Sequence, residues 1–132
     1  MPLNFENGFY LSKKCLPKAK DFFIDWYKKR AYGKIFQRVE WYAQERGLNY
    51  NKINITNAQK TWGSCSYQGN LNFAWRLIMA PLPIIDSVVI HGLVHLDEKN
   101  HSKAFWNKVK MLNPEYKKHR DWLEKNGYLL RL

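Results

Sequence analysis

At 132 residues the chain has room for one domain with a single modest core, and none for a second. Hydrophobic residues make up 45% and aromatics 16%, from 6 Trp, 8 Tyr and 7 Phe, which excludes a disordered polypeptide. Lys and Arg number 22 against 11 acidic residues, so the formal net charge is +11, a surface that attracts acidic ligands and polyanions.

The longest apolar run, Leu77 to Ile85, is interrupted by Pro81 and Pro83, so no membrane span is expected. The first residues show no basic segment followed by an apolar one, hence no secretory signal, and a cytoplasmic location is expected. Cys15 and Cys65 are too few for a disulfide framework and read as reduced thiols. The basic residues are dispersed along the chain, and no zinc-finger or helix-turn-helix spacing accompanies them. A nucleic-acid partner is therefore not favoured over a peptide or a small anionic substrate.

Leu16-Pro17 opens a long helical pattern, with Phe22, Phe23, Trp26, Tyr27, Ile35, Phe36, Val39 and Tyr42 at helical spacing. Gly33 is a place for a kink or a break, and Gly47 a stop. Residues 52–79 read as β. Ile53 and Ile55 alternate with polar residues, residues 67–70 form a turn, and a small antiparallel sheet or hairpin is expected. Pro83 suits the first turn of a strongly apolar helix through Ile84, Ile85, Val88, Val89, Leu93 and Leu96, ending near Lys99-Asn100. Residues 102–112 form the next helix, with Phe105, Trp106, Val109 and Leu112 inward. Asn113 caps a last helix that Gly127 closes. The order is long helix, small sheet, then three helices, so the class is α+β.

His91 and His95 stand at i and i+4 of the apolar helix. Four residues turn a helix by ~400°, so both imidazoles leave one face, about one turn apart. His101 follows just past the expected helix end, and a turn at Lys99-Asn100 brings it back over the first two. Three imidazoles suit one zinc ion with an open fourth position. A lone histidine on an apolar helix is ordinarily a hydrogen-bonded core residue, but three crowded imidazoles without a metal leave polar atoms needing partners. His119, in a Lys-Lys-His-Arg run, reads as solvated.

The blocks Thr61-Trp-Gly-Ser-Cys-Ser66, Asn70-Leu-Asn-Phe-Ala-Trp-Arg-Leu77, His91-Gly-Leu-Val-His95 and Asn100-His-Ser-Lys-Ala-Phe-Trp106 resemble the YgjP-like predicted metal-dependent hydrolases. Those are similar to the WLM and SprT-like zinc metallopeptidases. The resemblance implies a single zincin-like, metallopeptidase-type domain over residues 1–132, with a short N-terminal extension over 1–17. Its parts would be a long N-terminal helix, a small antiparallel sheet, an active-site helix and two C-terminal helices. It implies Zn2+ as cofactor with His91, His95 and His101 as ligands, and it favours hydrolysis of peptides. Some relatives act on nucleotide phosphoanhydrides, which the basic surface would also suit.

The chain departs from the family pattern in two ways. Members usually carry a longer β-rich portion before the first helix, so this chain resembles the catalytic unit alone. The family motif is His-Glu-x-x-His, and here Gly92 replaces the glutamate that serves as general base. A hydrolase weakened or silenced at that position is expected, the alternative being a metal-binding pseudoenzyme. Of the remaining motif residues, Cys65 reads as a small buried residue in a tight turn rather than a fourth ligand. Trp62, Trp75 and Trp106 are either site walls or core. Arg76 is either a holder of substrate carboxylate or phosphate or a partner in a surface ion pair, and Trp75 joins it as a candidate substrate contact. Asp97 and Glu98 are either orienters of a ligand imidazole or solvated charge.

Overall fold

A computed structural model describes residues 16–59 and 61–130. Cys15 and nearly all of the expected N-terminal extension lie outside them. The elements are α1 (Leu16–Arg46), β1 (Lys52–Thr56), β2 (Gly63–Cys65), β3 (Asn70–Ala74), α2 (Leu82–Val94), α3 (Lys103–Leu112) and α4 (Tyr116–Asn126). Short 3-10 segments follow β3 (Trp75–Met79) and α4 (Gly127–Leu130).

The first helix runs unbroken for 31 residues, and Gly33 does not interrupt it. Ala31, Ile35, Val39 and Ala43, spaced by four, are all buried and form its inward stripe. Gly47 ends it at a φ of 63°, where a residue with a Cβ would be strained.

The sheet is mixed rather than antiparallel, with strand order β1-β3-β2. Strand β1 pairs parallel to β3, Ile53 opposite Leu71 and Ile55 opposite Phe73, while β2 and β3 form the expected hairpin. Its turn uses Gly69 at a φ of 82°. The parallel pairing arises because β3 lies between β1 and β2, which a local hairpin pattern does not reveal. Side chains alternate as the pleat requires. Leu71 and Phe73 are buried, whereas Asn72 accepts from Asn54 and donates to Ser64 on the other face. The β pattern expected to reach Met79 stops at Ala74, and Trp75–Met79 wind into a 3-10 segment packed beneath α1.

Helix α2 is buried on two sides. Ile84, Ile85, Val88, Val89 and Leu93 join α1 and the sheet in the main core. Ile90 and Val94 join Phe105 and Val109 of α3 in a second cluster. A two-pronged ion pair anchors its start, with Arg38 Nε and a terminal guanidinium nitrogen each donating to Asp86 at 2.7 Å, and Tyr42 adding a third bond at 3.2 Å. Strand β2 crosses close to this helix at Gly63. A Cβ there would stand 2.8 Å from Val88 Cγ1 and 3.2 Å from the Phe73 ring, so the glycine of the Trp-Gly-Ser-Cys block is needed for the approach.

Candidate metal centre

Helix α2 ends at Val94, earlier than the expected stop at Lys99-Asn100, and His95 is its C-cap. The chain then turns through Glu98, whose backbone N–H donates to the Val94 carbonyl at 2.9 Å. Ser102 opens α3 by accepting from the Phe105 N–H at 3.2 Å, and this cap fixes the residue just before it, His101. The early stop and the cap bring His101 back over the end of α2.

The three imidazoles point the same kind of nitrogen at one spot. His101 Nε2 is 3.1 Å from His95 Nε2 and 3.2 Å from His91 Nε2. Two ligand nitrogens on a tetrahedral ion at ~2.0–2.1 Å stand about 3.3 Å apart. Among the described residues these three form a group of ligand atoms within 4.8 Å of one another, and Cys65 is not part of it. The half-buried Cys65 thiol instead donates to the Ser66 carbonyl, and burial pushes its pKa up.

Proton counting favours a cation here. His95 Nδ1 lies 3.0 Å from the Glu98 carbonyl oxygen, which only accepts, so the ring proton belongs on Nδ1 and Nε2 presents a lone pair. His101 Nε2 has room for one proton and faces both of the other Nε2 atoms. One proton cannot bond both linearly, whereas one cation satisfies all three lone pairs. His91 and His95 are also held neutral, the form that ligates. Burial, helped by His95, His101 and the Arg120 cation, lowers His91 to about 4, and burial likewise lowers His95. Beneath them lies Phe105, fully buried, with ring centroids 4.9, 4.4 and 4.9 Å from His91, His95 and His101.

A cleft of about 300 Å³ opens beside His91, lined by Thr61, Trp62 and Gly63 at one edge and by Ser87 and Val88 of α2. Trp106 and Val109 of α3 and Tyr116, Arg120 and Leu123 of α4 complete it. Trp62 and Trp106 are thus walls of the cleft, whereas Trp75 is core, 1% exposed. Arg76 does not line the cleft either. It is 3% exposed and donates to Asn57 Oδ1 at 2.9 Å and to the Asn57 and Ala58 carbonyls, in place of a surface ion pair. Glu98 orients His95 through its backbone, while its side chain pairs with Lys108 at 3.0 Å; Asp97 lies 4.0 Å from the same lysine. His119 is not the solvated residue expected: it is half-buried, with Nδ1 3.2 Å from the Asn113 amide, which also donates to Ser87. Asn113 therefore does not cap α4, which begins two residues beyond the expected Pro114. Tyr116 and Arg120 are the cleft residues that sequence reasoning did not single out. Their signal was the i, i+4, i+7 spacing with Leu123, hidden inside a basic run.

Position 92 is buried in α2, facing β3. A Cβ there would meet the Phe73 ring at 3.5 Å and Leu71 at 3.7 Å, ordinary contact distances, so packing does not demand glycine.

An α+β domain whose central helix and following loop gather three histidines beside an open cleft has the layout of a metallopeptidase. The family profile described as YgjP-like, metallopeptidase domain, matches residues 6–126, and the chain belongs to that family. Among solved structures it is similar to the crystal structure of the metallopeptidase zymogen of Pyrococcus abyssi abylysin. The TM-score is 0.60 at 20% identity, over 66% of this chain and 89% of that one, a likeness of fold. No curated protein matches the sequence. Among the described residues no helix is long and apolar enough to cross a membrane.

Proposed function

We propose that this chain is a zinc-binding domain of the peptide-hydrolysing kind in which hydrolysis is weakened or lost at Gly92. The observation that carries the reading is the convergence of three Nε2 atoms, with one imidazole locked by the Glu98 carbonyl. An all-imidazole set suits zinc, and three protein ligands leave a position open. Zinc held there supplies a Lewis acid for the substrate carbonyl and an activated water. The chain's own contribution is to fix the imidazoles over Phe105, hold His91 and His95 neutral, and offer the cleft as a binding surface. What it does not supply at position 92 is a carboxylate to take the proton from the attacking water. Loss of a positioned general base typically removes ~10²–10⁴-fold of rate.

The glycine also favours a second reading, a metal-binding module that holds a peptide without cutting it. Metal analysis and a single substitution decide. The chain is expected to carry about one zinc, kept in His119→Ala and lost in His101→Ala. Gly92→Glu is expected to raise hydrolysis of a peptide panel by at least ~10²-fold with zinc content unchanged. Zinc with no turnover in either form selects the non-catalytic module. Turnover of nucleoside triphosphates and not of peptides by Gly92→Glu selects phosphoanhydride chemistry. Equal metal loss from both histidine variants refutes the ligand assignment.

A further inference from the structure

The cleft beside His91 is apolar along most of its length, from Trp62, Val88, Trp106, Val109 and Leu123. Its one fixed charge is Arg120. That side chain is exposed, its Cζ lies 5.0 Å above the Trp106 ring, and among the described residues no carboxylate pairs with it. Guanidinium groups resting on an aromatic face keep their in-plane N–H donors free for a carboxylate. Trp106 links this cation to the histidines. Its ring stacks on His101 at 5.7 Å and 25° and lies 5.8 Å from His91, while Tyr116 stacks on it at 5.3 Å and 23°. Trp106 therefore touches two of the three histidines and carries the Arg120 guanidinium over its ring.

We propose that Arg120 binds the terminal carboxylate of a peptide whose last side chain, apolar, lies in the cleft between Trp62 and Trp106. This rests on the hydrolase reading above and sharpens it. With a free carboxylate at Arg120, the last peptide bond lies one residue, about 3.8 Å, further along the cleft that His91 also lines. The substrate class is then peptides with a free apolar C-terminal residue, and the cut is that of a carboxypeptidase. The cleft gives room for one side chain and supplies one cation, which an internal stretch of peptide would leave unmatched. The +11 net charge adds a field that draws in the acidic end.

Because the Gly92 chain is expected to cut slowly or not at all, binding is measured directly on the zinc-loaded protein, through tryptophan fluorescence or calorimetry. The probes are N-acetyl-Ala-Phe as free acid and as amide. The acid is expected to bind about tenfold more tightly, a margin that shrinks with added salt. Arg120→Gln should bring the acid down to the affinity of the amide, and Arg120→Lys should keep part of the preference. Equal binding of acid and amide, or a preference that survives Arg120→Gln, overturns the proposal. Phenyl phosphate binding more tightly than the peptide acid, and only with Arg120 present, overturns the peptide assignment in favour of a phosphate ligand. Metal content and the same titration on the parent chain, with His101→Ala as the metal-free control, separate the two readings. A parent chain that takes up no metal yet prefers the acid through Arg120 refutes the metal centre and keeps the subsite. A chain that holds zinc and ignores the carboxylate keeps the metal centre and loses the subsite.

Discussion

Of the arginines that lie over tryptophan rings among the described residues, Arg76, 4.5 Å from Trp75, and Arg120, 5.0 Å from Trp106, make the sharpest contrast. The pairings look alike and their surroundings do not. Arg76 is closed in beneath α1, where Tyr27 stacks on the same Trp75 at 5.2 Å. Its donors go to carbonyl oxygens of the segment between β1 and β2, Trp75 donates to Asn57 as well, and its Nε is buried with no partner. Among the described residues no carboxylate balances it, and burial lowers its pKa. Arg120 stands in the cleft with its donors uncommitted among the described residues. One cation stitches a loop to the core, and the other faces whatever enters. A guanidinium on an indole is therefore no guide to function until its remaining donors are counted.

The comparison breaks most visibly through Arg76. Arg76→Ala removes charge-assisted bonds to Asn57 and Ala58 and opens a cavity against Trp75, so unfolding stability should fall by about 3 kcal/mol, read as a lower denaturant midpoint. Arg76→Met keeps the apolar stem and sheds a buried charge, so it should cost less than Arg76→Ala. If Arg76→Ala instead leaves stability intact and weakens peptide binding, the buried arginine is the functional one and the contrast is reversed.

The next effect belongs to the histidines beside the open arginine. An ion that binds only the assembled triad stabilises the folded chain by about 2.7 kcal/mol at a free concentration a hundredfold above its Kd. Zinc should therefore raise the melting temperature of the parent chain and leave that of His101→Ala unmoved. A melting curve indifferent to zinc and to chelator, with metal shown to come and go, would mean that His91, His95 and His101 are gathered no better in the folded chain than in the unfolded one.

Much of this was legible in residue order. Helical spacing from Phe22 to Tyr42 marked α1, and the apolar character of α2 on every side foretold a helix packed on both faces. The i, i+4 pair His91 and His95 and the later His101 were readable because ligands on one helix and its exit loop are close in sequence. Gly92 stood out as a break in both helix propensity and motif. What stayed hidden depends on long-range placement. The parallel pairing of β1 with β3 brings together strands that β2 separates in sequence, with β3 inserted between β1 and β2 in the sheet. The Asn113 side chain left its expected cap for Ser87, 26 positions away. Trp75 and Arg76 sit in a motif block, which drew them toward function, yet the 3-10 segment turns them inward. Arg120 sits unmarked in a basic run, because only the packing of α4 against α2 carries it to the cleft.

The smallest expected effect is the stability change in Arg120→Ala, and its smallness is what the contrast requires. The guanidinium is exposed, and its resolved contact is the Trp106 face, a contact worth ~0.5–1 kcal/mol where solvent reaches it. Alanine also favours the helix interior slightly, which offsets part of that loss. A change within about 0.5 kcal/mol is therefore expected, against the much larger loss in Arg76→Ala. Paired denaturant titrations of the two variants read this directly. Should Arg120→Ala prove as damaging as Arg76→Ala, its donors are engaged in holding the fold together and are not free for a ligand. A stable Arg120→Ala that keeps its zinc provides the background on which loss of carboxylate preference can be assigned to the missing cation alone.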